Sequence, residues 1–195
     1  MAYPADGRGR CARGKSGAGS ARTVRGRRMQ LRKWTLRDTA ALVAIFAEAD
    51  RRFLSDRLPD PYTEKDAAFW LNMVCEKDSR TGIYRAVTLD DGTVVGSVSI
   101  EQKEDVYRKD ADIGYFLVGS QWSRGIITEA VEQACAAAFR ELDILRITGA
   151  VYAPNLASRR VLEKNGFVLE GTLRNAVIKN GQVQDLCLYG KYRPL

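Results

Sequence analysis

Gln121-Trp-Ser-Arg-Gly-Ile-Ile-Thr-Glu-Ala130 is the stretch around which the rest of the chain falls into order. It follows an apolar run, residues 111–118, that reads as a strand. It opens a helical pattern from about residue 125 to 140, with Ile127, Ala130, Val131, Ala134 and Ala138 on the face to be buried. A loop between a strand and a helix start gathers unpaired N–H groups and the positive end of the helix dipole. Gly125 lets a ligand come close to the backbone, and Arg124 and Thr128 can add donors. The segment therefore reads as a cradle for an anion or phosphate. It contains neither G-x-x-x-x-G-K-[ST] nor G-x-G-x-x-G, and taken alone it is also an ordinary helix start that binds nothing.

Upstream, Gln30-Leu-Arg-Lys-Trp34 reads as a strand. Thr35-Leu-Arg-Asp38 reads as a capping-box helix start, with Leu36, Ala40, Val43 and Ala47 at helical spacing. A loop with Pro59 and Pro61 leads to Thr63-Glu-Lys-Asp66 and a second helix carrying Ala67, Trp70, Leu71 and Val74. Strands at 82–88 and 94–101 flank the turn Asp90-Asp91-Gly92, and a polar loop covers 104–109. Downstream come a strand at 146–152, a helix at 155–164, and a hairpin of 167–177 and 183–189 around Asn180-Gly181. The order β-α-α-β-β-β-α-β-α-β-β predicts one mixed α/β (α+β) domain over residues 29–195 with some parallel pairing.

Composition removes whole classes of chemistry. The 195 residues contain no histidine, which excludes Ser-His-Asp and Cys-His catalysis, imidazole bases and His-ligated metal; no metal site is expected. The net charge of +7 sits entirely in residues 1–28, which hold eight basic side chains and Asp6 alone. This Gly/Arg/Ser-rich extension is expected to be disordered. It reads as a nucleic-acid arm, a transit peptide, or an over-extended start ahead of Met29. From Met29 onward acids and bases cancel, which argues against nucleic acid as the main partner. Cys11, Cys75, Cys135 and Cys187 form no C-x-x-C pair and read as reduced thiols of a cytoplasmic protein, the last three packed as small apolar residues. No apolar run is long enough to span a membrane.

Asp112-Ile-Gly-Tyr-Phe-Leu117, Trp122-Ser-Arg-Gly-Ile-Ile127-Thr-Glu-Ala130, Asn155-x-x-Ser158 and Glu163-Lys-Asn-Gly-Phe167 with Glu170-Gly171 together resemble the GNAT superfamily of acetyl-CoA-dependent N-acyltransferases. The branch most similar is that of the ribosomal-protein N-terminal acetyltransferases, and the resemblance runs from about Met29 to Tyr192. It implies a central mixed, twisted sheet of about six to seven strands, helices on both faces, and a splay between two parallel central strands. It also implies acetyl-CoA as co-substrate. The family loop [QR]-x-x-G-x-[GA], whose N–H groups hold the pyrophosphate, corresponds to Trp122–Ile127. Ser123, Arg124, Gly125, Ile126, Ile127 and Thr128 are then the cradle, with Trp122 and Ile127 departing from the pattern. The pantetheine arm is expected against Phe116, Leu117 and Val118, bonded by Asn155, with Ser158 near the thioester sulfur.

The resemblance implies transfer of an acetyl group to a primary amine, and only the neutral amine attacks. A lysine is neutral at pH 7 about once in 2,500, a deficit of roughly 4.6 kcal/mol, whereas an α-amine loses only about 1 kcal/mol. Without histidine the base is a carboxylate, a tyrosinate or a water chain. Asp112 lies where histone-acetylating relatives place a glutamate base, and Glu101 and Asp185 are alternatives. A backbone N–H near Leu117 is expected to meet the oxyanion. Many relatives protonate the leaving thiolate with a tyrosine where this chain has Leu162, which leaves Ser158 as donor. The loop Phe53-Leu-Ser-Asp-Arg-Leu-Pro-Asp-Pro61 and the final hairpin are expected to frame the acceptor, a peptide or small-molecule amine. The final strands could also pair between subunits as a homodimer. A non-catalytic acyl-CoA-binding protein is the alternative, motivated by Leu162; a nucleic-acid module using the basic extension is the third.

Overall fold

The computed structural model describes residues 29–194, so the expected extension at 1–28 lies outside the described residues. Its elements are β1 (Met29–Lys33), α1 (Thr39–Ala47), α2 (Glu64–Lys77), β2 (Gly82–Leu89), β3 (Val94–Gln102), β4 (Asp110–Leu117), α3 (Ile126–Glu141), β5 (Arg146–Tyr152), α4 (Leu156–Lys164), β6 (Val168–Lys179) and β7 (Gln182–Tyr192). The seven strands form one sheet in the order β1-β2-β3-β4-β5-β7-β6, and β4 with β5 is its parallel pair. This matches the predicted mixed sheet and element order. No helix among the described residues is long and apolar enough to cross a membrane.

Helices cover both faces, and neighbouring residues of β4 show it. Phe116 stacks on Phe46 of α1, with ring centroids 4.5 Å apart, while Tyr115 reaches Ser158 of α4. β2 lies between α2 and α3 and is buried along its whole length, which explains its near-continuous apolar run. The predicted capping box at Thr35–Asp38 is present, Asp38 Oδ2 accepting from the Thr35 N–H at 2.9 Å, and α2 starts with a second one: Asp66 accepts from the Thr63 N–H at 2.9 Å and Thr63 Oγ1 from the Asp66 N–H at 3.4 Å.

Two packing expectations are corrected. The buried residues of α1 are Leu42 and Ile45, whereas Leu36, Ala40 and Ala47 are exposed and Val43 is half-buried. Leu36–Asp38 form a separate 3₁₀ turn in which Asp38 points inward, held by Arg32 at 2.7 and 2.8 Å, so the helix starts later and in a different phase. Cys135 and Cys187 are packed in the core, but Cys75 is exposed near the end of α2, its Sγ 3.6 Å from the Trp34 carbonyl.

The parallel ladder between β4 and β5 has three pairs, Asp110–Arg146, Ala111–Ile147 and Asp112–Thr148, and then stops. Both strands continue, to Leu117 and Tyr152, so they diverge into a V. On its other side β4 stays bonded to β3 through Leu117. The Asp110 carbonyl and the Val118 N–H bond to β3 and its flank, whereas the Lys109 carbonyl faces the β5 side. Alternation then turns the backbone groups of Ile113, Tyr115 and Leu117 toward the V.

One polar cluster breaks the apolar rule for β2. Arg85, 8% exposed, pairs with Asp78 and lies 3.7 Å from Glu141, while Lys33 is 2.8 Å from Asp78. Burial opposes the Asp78 charge, but bonds from Lys33, the Tyr84 N–H and Arg85 outweigh it and hold its pKa below the usual carboxylate range. The resulting stabilisation is present above the unfolded pKa of about 4 and is lost as pH falls through the lower folded value. Arg85→Leu strands a buried carboxylate and is expected to cost about 3 kcal/mol in urea unfolding at pH 7, with an unchanged m-value. A loss under about 1 kcal/mol means that Lys33 and the Tyr84 N–H suffice for Asp78.

Candidate active site

The cradle is built by chain direction. After β4 the chain makes a 3₁₀ turn at Gly119–Gln121, and two residues then take left-handed conformations, Ser123 at φ 61° and Gly125 at φ 79°. Gly125 is the N-cap of α3, and a Cβ added there would project into open space with no atom within 4 Å. Among the described residues the N–H groups of Ser123 through Thr128 have no protein acceptor; the first helical bond is from Glu129 N–H to the Gly125 carbonyl. Consecutive free donors at a helix N-terminus, beside an open glycine and exposed Arg124, have the chemistry of a pyrophosphate site. Ile126 is the buried anchor of this turn and Ile127 is half-buried, the reverse of the predicted emphasis. Trp122 donates its indole N–H to the Leu117 carbonyl at 2.8 Å, which fixes the loop to the end of β4.

The arm of the V on the α4 side is equally specific. Asn155 caps α4, its Oδ1 accepting from the Ser158 N–H at 3.2 Å, so its amide NH₂ is left to donate elsewhere. The Glu163-Lys-Asn-Gly-Phe167 stretch is the far cap. Gly166 takes φ 76°, the Phe167 N–H bonds the Leu162 carbonyl, and Asn165 Nδ2 spans to the Thr128 carbonyl at 3.1 Å and to Val161 at 2.9 Å. Asn165 thus locks α4 to the first turn of α3, beside the cradle. Leu162 is fully buried against Gly149, where a Cβ would lie 2.7 Å from Leu162 Cδ1. The position that carries a phenol in the resembled pattern is therefore core in this chain.

Of the residues expected to face the pantetheine, Leu117 turns its backbone toward the V, whereas Phe116 and Val118 point their backbone groups toward β3, with the Val118 N–H bonded to the Val95 carbonyl. Phe116 instead forms the floor on the α1 side through its ring. Ser158 is not a free hydroxyl: its Oγ lies 2.8 Å from Tyr115 Oη, a partner that periodicity and motif gave no reason to single out.

Two of the three candidate bases lie together on the face shared with α1 and α2. Glu101 and Asp112 are cross-strand neighbours, each with a lysine: Lys77 at 2.8 Å from Glu101 and Lys103 at 3.1 Å from Asp112. The Glu101 bond raises the Lys77 pKa. Burial works against the Lys103 charge, but bonds to Asp110 and Asp112 prevail and raise its pKa too. Both carboxylates thus stay beside permanent ammonium groups. Asp112 is 63% exposed and open to solvent, whereas Asp185 is occupied by the Asn175 N–H at 2.8 Å in the hairpin bulge. Beyond the V, the loop after α1 meets the tip of the hairpin around a cavity of about 490 Å³. Its charges neutralise one another as Asp50–Arg52, Asp60–Arg51 and Asp56–Lys179 pairs.

Residues 28–168 match the family model for the acetyltransferase (GNAT) domain. The probable N-acetyltransferase YjcK of Bacillus subtilis is 43% identical over 98 residues, 50% of this chain and 54% of that protein. The putative ribosomal N-acetyltransferase YdaF of the same organism is 37% identical over 101 residues, 52% of this chain and 55% of YdaF. The matches thus span about half the length of these curated relatives. The ribosomal-protein-S5-alanine acetyltransferase of Vibrio fischeri superposes with a TM-score of 0.76 at 23% identity, over 84% of this chain and 92% of that one. RimL, a ribosomal L7/L12 alpha-N-protein acetyltransferase solved with coenzyme A, gives 0.74 at 21% identity, over 84% and 93%. With its splayed parallel strands, its left-handed loop at the start of α3 and the match over most of its length, the chain belongs to the GNAT acetyltransferase family.

Proposed function

We propose that the protein is an N-acetyltransferase that moves the acetyl group of acetyl-CoA to a primary amine by direct attack in a ternary complex. The observation that carries this reading is the conjunction of the V with a row of free N–H groups at its mouth. The fold neighbour that holds coenzyme A and the family's named activity support it. Ser123 through Thr128 hold the pyrophosphate, the open backbone edge of β4 before Leu117 pairs the pantetheine like an added strand, and the Asn155 amide donates to it. The Leu117 N–H, turned into the V, meets the developing oxyanion. Asp112 accepts the amine proton directly or through water, with Glu101 next to it on β3. Ser158 stabilises the departing sulfur. The three cysteines among the described residues are unpaired, which fits a reducing compartment such as the cytoplasm.

The lysine-paired carboxylates narrow the acceptor. A lysine acceptor starts ~4.6 kcal/mol short of its neutral form and an α-amine only ~1 kcal/mol, and the bases on this face are carboxylates already bonded to lysines. The cavity between the loop and the hairpin has no unpaired acid to attract a polycation. Both features favour a peptide or amino-acid α-amine over a polyamine. Leu162 favours one competing reading, a protein that binds acyl-CoA without turning it over.

Calorimetric titration of acetyl-CoA into the full chain, followed by thiol release with a panel of amines, tests the proposal. Binding with release stimulated by an α-amine peptide is the expected result; binding with no release from any amine supports the competing reading. Gly125→Glu places a carboxylate in the cradle and is expected to weaken acetyl-CoA binding at least 100-fold while the protein stays folded. Unchanged affinity removes this loop from the site. Asp112→Asn is expected to lower kcat about 10- to 100-fold at neutral pH with acetyl-CoA affinity intact. Full activity in that variant moves the role to Glu101 or to water.

A further inference from the structure

Tyr115, half-buried on β4, carries a phenol for which neither the sequence pattern nor the family match supplies a role. Its side chain leaves β4 on the face covered by α4 and ends there, where Oη lies 2.8 Å from Ser158 Oγ and 3.0 Å from the Ser158 carbonyl. Burial drives its phenol well above the usual tyrosine range, with the Ser158 bond working in the opposite direction, so it is a neutral hydroxyl at working pH. Tyr115 and Ser158 therefore form a pair of hydroxyls joined across the two arms of the site, while Leu162, one turn further along α4, is packed away in the core.

We propose that Tyr115 is a positioning residue that aims the Ser158 hydroxyl at the thioester sulfur, so that a strand phenol acting through a serine serves where α4 itself carries no phenol. The inference rests on the acetyltransferase reading above. A phenol has one hydrogen and here has two acceptors. When it bonds the Ser158 carbonyl, Ser158 donates back to Oη and its hydrogen points away from the V. When it bonds Oγ, the serine hydrogen is free to turn into the V. Accepting that bond also makes Ser158 a stronger donor, because hydrogen bonds in series polarise one another. As the C–S bond breaks, its electron pair goes to sulfur and is stabilised by the Ser158 hydrogen. The proton that completes the thiol is the one the attacking nitrogen loses. Tyr115 itself neither gains nor gives up a proton, in keeping with its raised pKa.

The test is a double-mutant cycle on the full chain with Tyr115→Phe, Ser158→Ala and both together, reading kcat, KM and acetyl-CoA affinity by titration. Tyr115→Phe removes a single oxygen and is expected to lower kcat about tenfold with acetyl-CoA affinity and amine KM within twofold of the parent. The double variant is expected to be no slower than Ser158→Ala, because Tyr115 acts only through Ser158. Multiplicative losses overturn the proposal, as does a Tyr115→Phe variant with normal kcat or one whose defect lies only in affinity or melting temperature. Ser158→Thr keeps a hydroxyl in place and is expected to retain part of the rate lost in Ser158→Ala when Tyr115 is present, and none of it when combined with Tyr115→Phe; equal rescue in both also overturns it. An unsubstituted chain that binds acetyl-CoA yet releases no CoA with any amine overturns instead the acetyltransferase reading on which this rests.

Discussion

Two adjacent parallel strands that stop bonding partway leave polar backbone groups open in the middle of a sheet, and everything else in this structure is arranged around that break. β4 and β5 part after Asp112 and Thr148, where each still has several residues to run. Buried N–H and C=O groups without partners are costly, so an open splay persists only where neighbouring elements prevent it from closing. Leu162 of α4 wedges against Gly149 of β5, Asn165 clamps α4 to the first turn of α3, and the Tyr115–Ser158 contact bridges the two arms. On the outer flanks β4 is held to β3 as far as Leu117 and β5 to β7 as far as Tyr152. The backbone edge left open there is of the kind that an added extended segment pairs with.

The break also dictates the loop that follows. A chain leaving β4 at the end of the splay must turn back sharply to start α3 over the same sheet, and it does so with two left-handed residues. Gly125 adopts that conformation freely, while Ser123 meets a modest steric penalty. The Trp122 indole, bonded to the Leu117 carbonyl, pins the turn to the strand it has just left. One geometric requirement, reversing direction beside an open strand, thus produces both the row of free N–H groups and the closeness of that row to the V.

Features set by local chemistry were readable from the residues. The hairpin at Asn180-Gly181 shows the positive φ at both positions that its type I′ signature implies, at 51° and 72°. The capping box at Thr35–Asp38 and the bounds of β5 likewise follow from short-range patterns. What escaped depends on partners distant in sequence. The inward turn of Asp38 and the shifted phase of α1 depend on Arg32 in another element, and alanine-rich helices such as α1 carry too even a distribution of apolar residues to reveal their buried side. Tyr115 is the sharper case. It sits in a strand where an aromatic residue reads as core, and only the placement of α4 over the V gives its hydroxyl a partner 43 residues away. The lysines beside Glu101 and Asp112 were equally hidden, since spacing alone does not say which exposed cation faces which carboxylate.

The two halves of the site differ in how they encode recognition. On the donor side nearly every contact available to a ligand is main-chain: the N–H row at α3 and the strand edge of β4, with Gly125 contributing by having no side chain. Such a surface tolerates wide changes in side chain provided the backbone path is kept, so Trp122 and Ile127 can depart from the resembled pattern while the loop retains its shape. On the acceptor side the path between loop and hairpin is lined by charged side chains already paired with one another. Asp56 and Asp60 are 73% and 72% exposed, so water and their own partners already screen them and they offer an incoming cation little net field. On the proposed reading a single amine needs only the Glu101 and Asp112 face, and selectivity rests on which amine is neutral often enough to react, a choice to which the backbone-built half is indifferent.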